Sequence, residues 1–496
     1  MQSITAPIDS VAVIRAKPDP TSLSAAPPAP SIETARSEIY RHAPERVLLV
    51  GLDVGKDVNV MYMRTLAGLE VVPATKLATL TSGYTMFWHL VEQCLTSGVY
   101  TLVLIGHEPT GVYHEAWSHQ LAGALGTFTA EHPAGPLIRY RLLHPTLVKR
   151  ARQNKSHRTR KSDAIDAAAM TDLLAEGGGR AVTALADAEW EMRHRAGALN
   201  SLIKEQKRQA VHLLRTFDRL WPGALGNTAA YARTHPDLPP LHHLVDSKPL
   251  ERQRLRLLLT YAITPAQLAA WGVDGIRDFY HSHDASCGEK TARHILQVAQ
   301  QSLLPPPFAS DCMAQQLQSD FTRYTTLEGD IEHLELRLTE LLPHTPAAVL
   351  TTLPGVSPIL AARYLAALGN PARFESAQQI WAFAGLDPVQ ADSGNRRFSG
   401  AISHRGSPFL RYVLYQMGFL AAQHCPDCAR LYYRTCKRGK AKTIAILHVA
   451  NKVNRILWHL LQTQQPYRSP LSPAQETKWR QYVQQQRRRT KHGAAG

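Results

Sequence analysis

Val47-Leu-Leu-Val-Gly-Leu-Asp53 and Leu102-Val-Leu-Ile-Gly-His-Glu108 decide the fold. Each is a short run of mostly branched apolar residues, suited to a strand, and each ends on a carboxylate. Working outward, Val58–Arg64 and Leu69–Ala74 read as two more strands and Met86–Leu95 as a helix. Thr101–Gly106 is the strand that leads to Glu108, and a helix follows over Tyr113–Leu125. Three strands in succession, then alternating helices and strands, predict a mixed α/β sheet covered by helices.

A second acidic feature lies in Lys161-Ser-Asp-Ala-Ile-Asp166, where Asp163 and Asp166 stand three apart. On a helix that spacing puts both carboxylates on one face. Two strand ends and one helix face can converge on a divalent cation. Taken singly, each acid has a plainer reading. Asp53 suits a turn between Gly51 and Gly55, Glu108 a helix cap, and the Asp pair a first helical turn, where acids are favoured. Taken together they favour a metal site. Buried carboxylates repel one another, Mg²⁺ relieves that repulsion, and two such ions stabilise the attacking and leaving oxygens of a phosphodiester. Lys149, Arg150, Arg152, Lys155, Arg158, Arg160 and Lys161 run straight into this acidic pair. Their position favours contact with a nucleic-acid backbone over a merely solvated face.

The chain has 496 residues, enough for two or three domains, and a formal charge of +16 that points to a polyanionic partner. No apolar run is long enough to span a bilayer and no signal pattern opens the chain, so the expected location is the cytoplasm. Six scattered cysteines suit a reducing compartment. Cys425-Pro-Asp-Cys428 alone has metal-like spacing, and without a second matched pair it reads as structural thiols rather than zinc.

Residues 1–44, rich in Pro, Ala and Ser, read as a disordered leader, and 45–180 as the mixed-sheet domain. In 181–342 two stretches carry apolar residues at alternating three and four: Met192, Leu199, Ile203, Ala210, Leu213, Phe217 and Leu220, then Leu317, Tyr324, Leu327, Ile331, Leu334, Leu338 and Leu341. They predict a coiled-coil segment, either an antiparallel hairpin within the chain or a dimerisation arm, around a helical insertion at about 222–308. Residues 343–462 form a third, helical region. There Leu353-Pro-Gly-Val-Ser357 before Ile359–Leu368 reads as a helix-hairpin-helix-like turn, with Gly355 allowing the bend. Residues 463–496 read as a mobile basic tail.

The third region also holds Ala391-Asp-Ser-Gly-Asn-Arg-Arg-Phe-Ser-Gly-Ala-Ile-Ser-His-Arg-Gly406. A serine hydroxyl beside glycine, on a loop flanked by Arg396, Arg397 and Arg405, can approach and polarise a phosphate. Spacing alone does not choose among Ser393, Ser399 and Ser403.

These segments, in order, resemble the bridge-RNA-guided DEDD transposases of the insertion-sequence family one-ten. The resemblance is carried by Gly51-Leu-Asp-Val-Gly-Lys56, Glu108-Pro-Thr-Gly111, Lys161-Ser-Asp-Ala-Ile-Asp166, Leu353-Pro-Gly-Val356, Ala384-Gly-Leu-Asp-Pro388, Ser393-Gly394 and Ile402-Ser-His-Arg-Gly406. It spans about Val47–Ala175 and Thr351–Leu461. It implies a RuvC-like, RNase H-fold N-terminal domain, a coiled-coil segment and a C-terminal transposase domain. It further implies Mg²⁺ on Asp53, Glu108, Asp163 and Asp166, and Ser393 as the nucleophile that forms a phosphoserine link to DNA. The implied partners are element and target DNA, a structured guide RNA that supplies sequence choice by pairing, and further copies of the chain in a dimer or tetramer. The implied setting is the bacterial cytoplasm, at the nucleoid when active. Two other readings compete: a hydrolytic RuvC-like junction nuclease, and a non-catalytic nucleic-acid-binding assembly protein. The long leader, the large middle insertion and the Gln/Arg tail depart from the family pattern.

Overall fold

The run that ends at Asp53 is β1 (Val47–Asp53), which lies inside a six-stranded sheet. The computed structural model describes residues 32–109, 111–155, 162–182, 186–239, 241–245, 247–393 and 396–493. They fall into two units, Met1–Ala186 with Leu368–Gly496, and Asp187–Ala367.

In the first unit α1 (Ile32–Ile39) precedes β1, β2 (Val58–Thr65) and β3 (Glu70–Ala78). Then come α2 (Thr81–Thr96), β4 (Leu102–His107), α3 (His114–Glu131), β5 (Leu137–Leu142), α4 (Pro145–Lys155), α5 (Asp163–Ala175) and the short β6 (Arg180–Ala181). The strand order is β3-β2-β1-β4-β5-β6. β1, β2 and β3 pair antiparallel, whereas β1, β4 and β5 run parallel. Both faces are covered, which is why β1 and β4 are apolar at nearly every position. Leu48, Val50, Leu52, Val103 and Ile105 pack with residues of α2 and α3 such as Phe87 and Trp117. Val47, Leu49, Leu102 and Leu104 face α1, α4 and α5 through Ile39, Val148, Met170 and Leu174. β5 was missed by sequence because arginines alternate with its apolar residues.

The leader reading needs correcting at its end. Ala35 and Ile39 are buried one helical turn apart, and Glu38 pairs with Arg139 on β5, so α1 belongs to the sheet domain. Residues 1–31 lie outside the described residues.

The second unit contains α6 (Asp187–Leu220), α7 (Thr228–Thr234), α8 (Gln253–Thr260), α9 (Pro265–His281), α10 (Glu289–Gln301), α11 (Pro307–Leu341) and most of α12 (Pro358–Leu368). The two heptad stretches are α6 and α11, and they pair with each other. Glu191 meets Arg337 at 3.0 Å and Gln209 meets Asp320 at 3.1 Å, so the pair is antiparallel. The expected helical insertion is α7–α10, whose Leu258, Leu268, Tyr280 and Ile295 share a core with Phe217, Trp221 and Leu317. Gly355 has φ +97°, as the tight turn before α12 requires. The segment ahead of that turn is a 3₁₀ helix, Pro346–Thr352, rather than an α-helix.

Beyond α12 come α13 (Ala377–Phe383), β7 (Pro388–Ser393), β8 (Arg396–Ile402), α14 (Pro408–His424), α15 (Pro426–Lys437), α16 (Lys442–Thr463) and α17 (Pro473–Gly493). The tail reading is corrected too. α17 packs on α15, with Tyr482 edge-on to Tyr433 at 5.0 Å and Val483 buried. Trp479, Tyr482 and Val483 fall on one helical face, a signal masked by the surrounding glutamines and arginines. No helix among the described residues is long and apolar enough to cross a membrane.

Candidate active site and nucleic-acid interface

β1 and β4 are parallel neighbours with Leu52 opposite His107. Asp53 and Glu108, each the next residue along, therefore emerge together at the same end of adjacent strands, and both are half-buried. α5 carries the other two acids and is drawn onto the sheet by a missing side chain. A Cβ at Gly51 would lie 2.2 Å from the Ala167 carbonyl oxygen, so only glycine lets the helix backbone approach β1 here. That contact is one residue from Asp166 on the helix and two from Asp53 on the strand. Further fastenings fix the helix. Arg64 on β2 donates to Thr171 at 2.8 Å and to Asp172 at 3.0 Å, and buried Arg141 on β5 donates to the Gly177 carbonyl at 2.6 Å. Ser162 caps the N-terminus by accepting from the Ile165 amide.

Asp166 is 6 % exposed, whereas Asp163, a turn earlier, is on the surface. Arg152 does not face outward as the backbone-contact reading expects. Its Nη1 lies 2.8 Å from both carboxylate oxygens of Asp166 and supplies the positive charge that this buried acid needs. Among the described residues no three His, Cys, Asp or Glu side chains are grouped to hold a metal ion. In chemistry the donor set nevertheless fits Mg²⁺, since all four candidates are hard carboxylate ligands.

His107, just before Glu108, is fully buried, and burial pushes its pKa down to about 4. It is neutral at pH 7. Its Nδ1 lies 3.1 Å from the Glu108 carbonyl, which can only accept, so Nδ1 carries the proton and Nε2 accepts from Tyr140 at 2.6 Å. The ring thus anchors the end of β4 without adding charge beside the acids.

Lys149 and Arg150 are exposed on α4. The Lys155 side chain is outside the described residues, as are Arg158, Arg160 and Lys161.

The serine segment is a two-stranded hairpin rather than a loop. β7 ends at Ser393 and β8 starts at Arg396, with Ser393 opposite Arg396 and Asp392 opposite Arg397. Gly394 and Asn395 lie outside the described residues, as do the side chains of 389–401, including Ser393, Arg396, Arg397 and Ser399. The foot of the hairpin is described in full. Ser403 donates its hydroxyl to Asp387 at 2.7 Å, and the amides of His404 and Ser407 donate to the carbonyls of Gly385 and Phe383. A Cβ on Gly406 would lie 2.3 Å from the Phe383 oxygen. Ala384-Gly-Leu-Asp-Pro388 and Ile402-Ser-His-Arg-Gly406 are therefore two halves of one clasp. Arg405, in the second half, is exposed.

This clasp and hairpin fall inside a recognisable segment. Residues 347–434 match the Transposase IS116/IS110/IS902 family. The chain is 30% identical over 217 residues to the insertion element IS900 uncharacterized 42 kDa protein of Mycobacterium paratuberculosis, covering 42% of this chain and 53% of that one. It is 27% identical to the insertion element IS116 uncharacterized 44.8 kDa protein of Streptomyces clavuligerus, over 45% of this chain and 55% of the relative. With the transposase for insertion sequence element IS1111A of Coxiella burnetii it shares 32% identity over 24% of this chain and 33% of the relative. The chain spans about half the length of the first two relatives.

Sequence reasoning missed two features of the site. One is the Arg152–Asp166 pair, hidden in a run of equivalent-looking cations. The other is Asp427, which is 1 % exposed at the start of α15 and holds Lys452 and Arg430. An acid inside the apolar Cys425-Pro-Asp-Cys428 helix start was the available signal, and it was read for its cysteines instead.

Proposed function

We propose that the chain is a transposase, a recombinase that cuts and rejoins the DNA of an insertion element. The observation that carries this reading is the matched emergence of Asp53 and Glu108 from adjacent parallel strands, with α5 brought to them at Gly51. The family match over the serine hairpin supports it independently. The strand order, three antiparallel strands continued by two parallel ones, supports a RuvC-like, RNase H-fold assignment.

In this reading Asp53, Glu108, Asp163 and Asp166 would hold Mg²⁺, and Arg152 would exchange its carboxylate partner for nucleic-acid phosphate. Bound there, the ion would stabilise negative charge on the reacting phosphodiester oxygens. Ser393 attacks the phosphorus. An Oγ–P bond forms, one P–O bond of the strand breaks, and the serine proton ends on the departing hydroxyl. The phosphoserine link keeps the bond energy, so a hydroxyl end can reverse the step and reseal DNA without a nucleotide cofactor. The register that sets Arg396 opposite Ser393 supports a role for its guanidinium in stabilising charge on the reacting phosphate. Ser403 instead ties the hairpin foot to Asp387.

A guide RNA and a dimer or tetramer complete the proposal. The charge of +16 supports a nucleic-acid partner. The half-buried middle of the α6–α11 pair, Ile203 with Leu327, Ile331 and Leu334, supports assembly with further copies.

The test is to mix the protein with element-end DNA, denature, and look for a protein–DNA adduct. Wild type should give one, Ser393→Ala none, and Asp166→Asn at least about a hundredfold less. Free nicked ends without any adduct would replace this reading with the hydrolytic nuclease. Sequencing RNA that co-purifies with the chain tests the guide, and an absence of any discrete RNA species would remove that part.

A further inference from the structure

A cavity of about 960 Å³ opens between α15, α16 and the foot of the β7–β8 hairpin, where Pro388 and Ile402 pair. Four cations line it: Arg430, Arg434, Lys452 and Arg455. Asp427 neutralises one charge and aims two of the side chains, lying against Lys452 and 3.3 Å from Arg430. Arg434 and Arg455 are exposed and have no side-chain partner among the described residues, and exposed His448 lines the cavity beside them. Apart from Asn451 the rest of the wall is apolar and includes Leu431, Ile444 and Leu447.

Unpaired guanidiniums beside an apolar wall suit an amphipathic polyanion rather than a simple ion. We propose that this cavity holds an unpaired stretch of a nucleic-acid strand, its phosphates on Arg434, Arg455 and Lys452 and its sugars and bases against the leucines and Ile444. The volume sits at the upper end of the ~300–1,000 Å³ usual for small-ligand sites, room for a few nucleotides and too little for a duplex. A cationic groove with an apolar face is also the general solution for binding single strands. The position has a consequence. A strand seated here runs past the foot of the hairpin whose far end is Ser393, so the cavity would hold a separated strand at the base of the element that carries the proposed nucleophile. This deepens the transposase reading and rests on it for the identity of the polyanion.

The experiment titrates the full chain against short labelled oligo(dT), oligo(rU) and a blunt DNA duplex in EDTA, read by fluorescence anisotropy over a range of salt. The double variant Arg434→Ala/Arg455→Ala should bind single strands about tenfold more weakly. Its log–log salt slope should flatten by about 1.4, two phosphate contacts at roughly 0.7 each. Duplex binding should change less than about threefold, since the other cationic surfaces remain. His448→Glu, an exposed position, should shift affinity in the same direction. A loss confined to oligo(dT) assigns the site to DNA and one confined to oligo(rU) assigns it to RNA. Unchanged single-strand affinity, or an equal loss on the duplex, overturns the proposal. Should wild type form no DNA adduct while the double variant still loses single strands, the transposase reading falls and the cavity keeps its strand.

Discussion

The acidic end of the six-stranded sheet and the serine hairpin are built on opposite principles. Asp53 and Glu108 are positioned by backbone register between strands buried on both faces, and α5 is seated by direct contact with β1. The hairpin is secured at its foot by the clasp between Phe383–Asp387 and Ser403–Ser407. The acids stand on strands packed into a core on both faces. Ser393 stands at the far end of a two-stranded lever. In the proposed reading this division is useful, because metal ligation needs several atoms fixed at once, whereas a nucleophile needs only one hydroxyl brought to the strand.

The strongest way to break this contrast is Gly51→Val. Its Cβ would meet the Ala167 carbonyl, and since neither backbone can yield alone, α5 must lift off the sheet. The expected cost is roughly 3 kcal/mol, read as a fall in thermal unfolding midpoint, with DNA cleavage lost. A variant of wild-type stability would show that the acid end is not held by that contact. At the hairpin, Gly406→Ala forces a Cβ against the Phe383 oxygen, at about 2 kcal/mol. In the proposed reading the adduct should disappear while nucleic-acid binding survives. If Gly406→Ala left adduct formation intact, the clasp would not be what positions Ser393.

A subtler variant sharpens the acid side. Arg152→Ala leaves the Asp166 carboxylate buried without its counter-charge, which should cost about 1–3 kcal/mol. In the proposed reading a divalent ion takes over that role. Mg²⁺ should therefore raise the unfolding midpoint of Arg152→Ala more than that of wild type. Equal shifts in the two proteins would separate Asp166 from the ion.

How much of this was legible depended on the kind of physics involved. The sheet end could be read because a strand apolar at nearly every position and leading to an acid is a local pattern, written in consecutive residues. The Arg152–Asp166 pair could not, because nothing local distinguishes Arg152 from Arg150. Only the α4–α5 packing makes one face inward and leaves the other exposed. The hairpin was read as a loop because its serines and glycines weaken strand preference, while the pairing that overrides this lies across the ladder. α1 and α17 were hidden by composition. Each is held by two or three apolar contacts within a polar or proline-rich surround, too few to set up a sustained period.

The smallest expected effect concerns the edge of the same sheet domain. Glu38 on α1 accepts from Arg139 on β5 at 3.0 Å, and that hydrogen bond holds its carboxyl below the ordinary range. The folded protein therefore binds fewer protons than the unfolded chain between the lowered value and the usual ~4.3. The pair's stabilisation is complete above that usual value and is lost as pH falls through the lowered one. Both side chains are partly exposed, so solvent screening limits the contribution to about 1 kcal/mol or less. Glu38→Gln should lower the unfolding midpoint slightly at pH 7, and the gap from wild type should narrow as acidification takes the carboxyl through its lowered value. A gap unchanged by acidification would mean that the substitution acts through something other than the charge of the Glu38–Arg139 pair, leaving that ion pair as an incidental contact at the sheet margin.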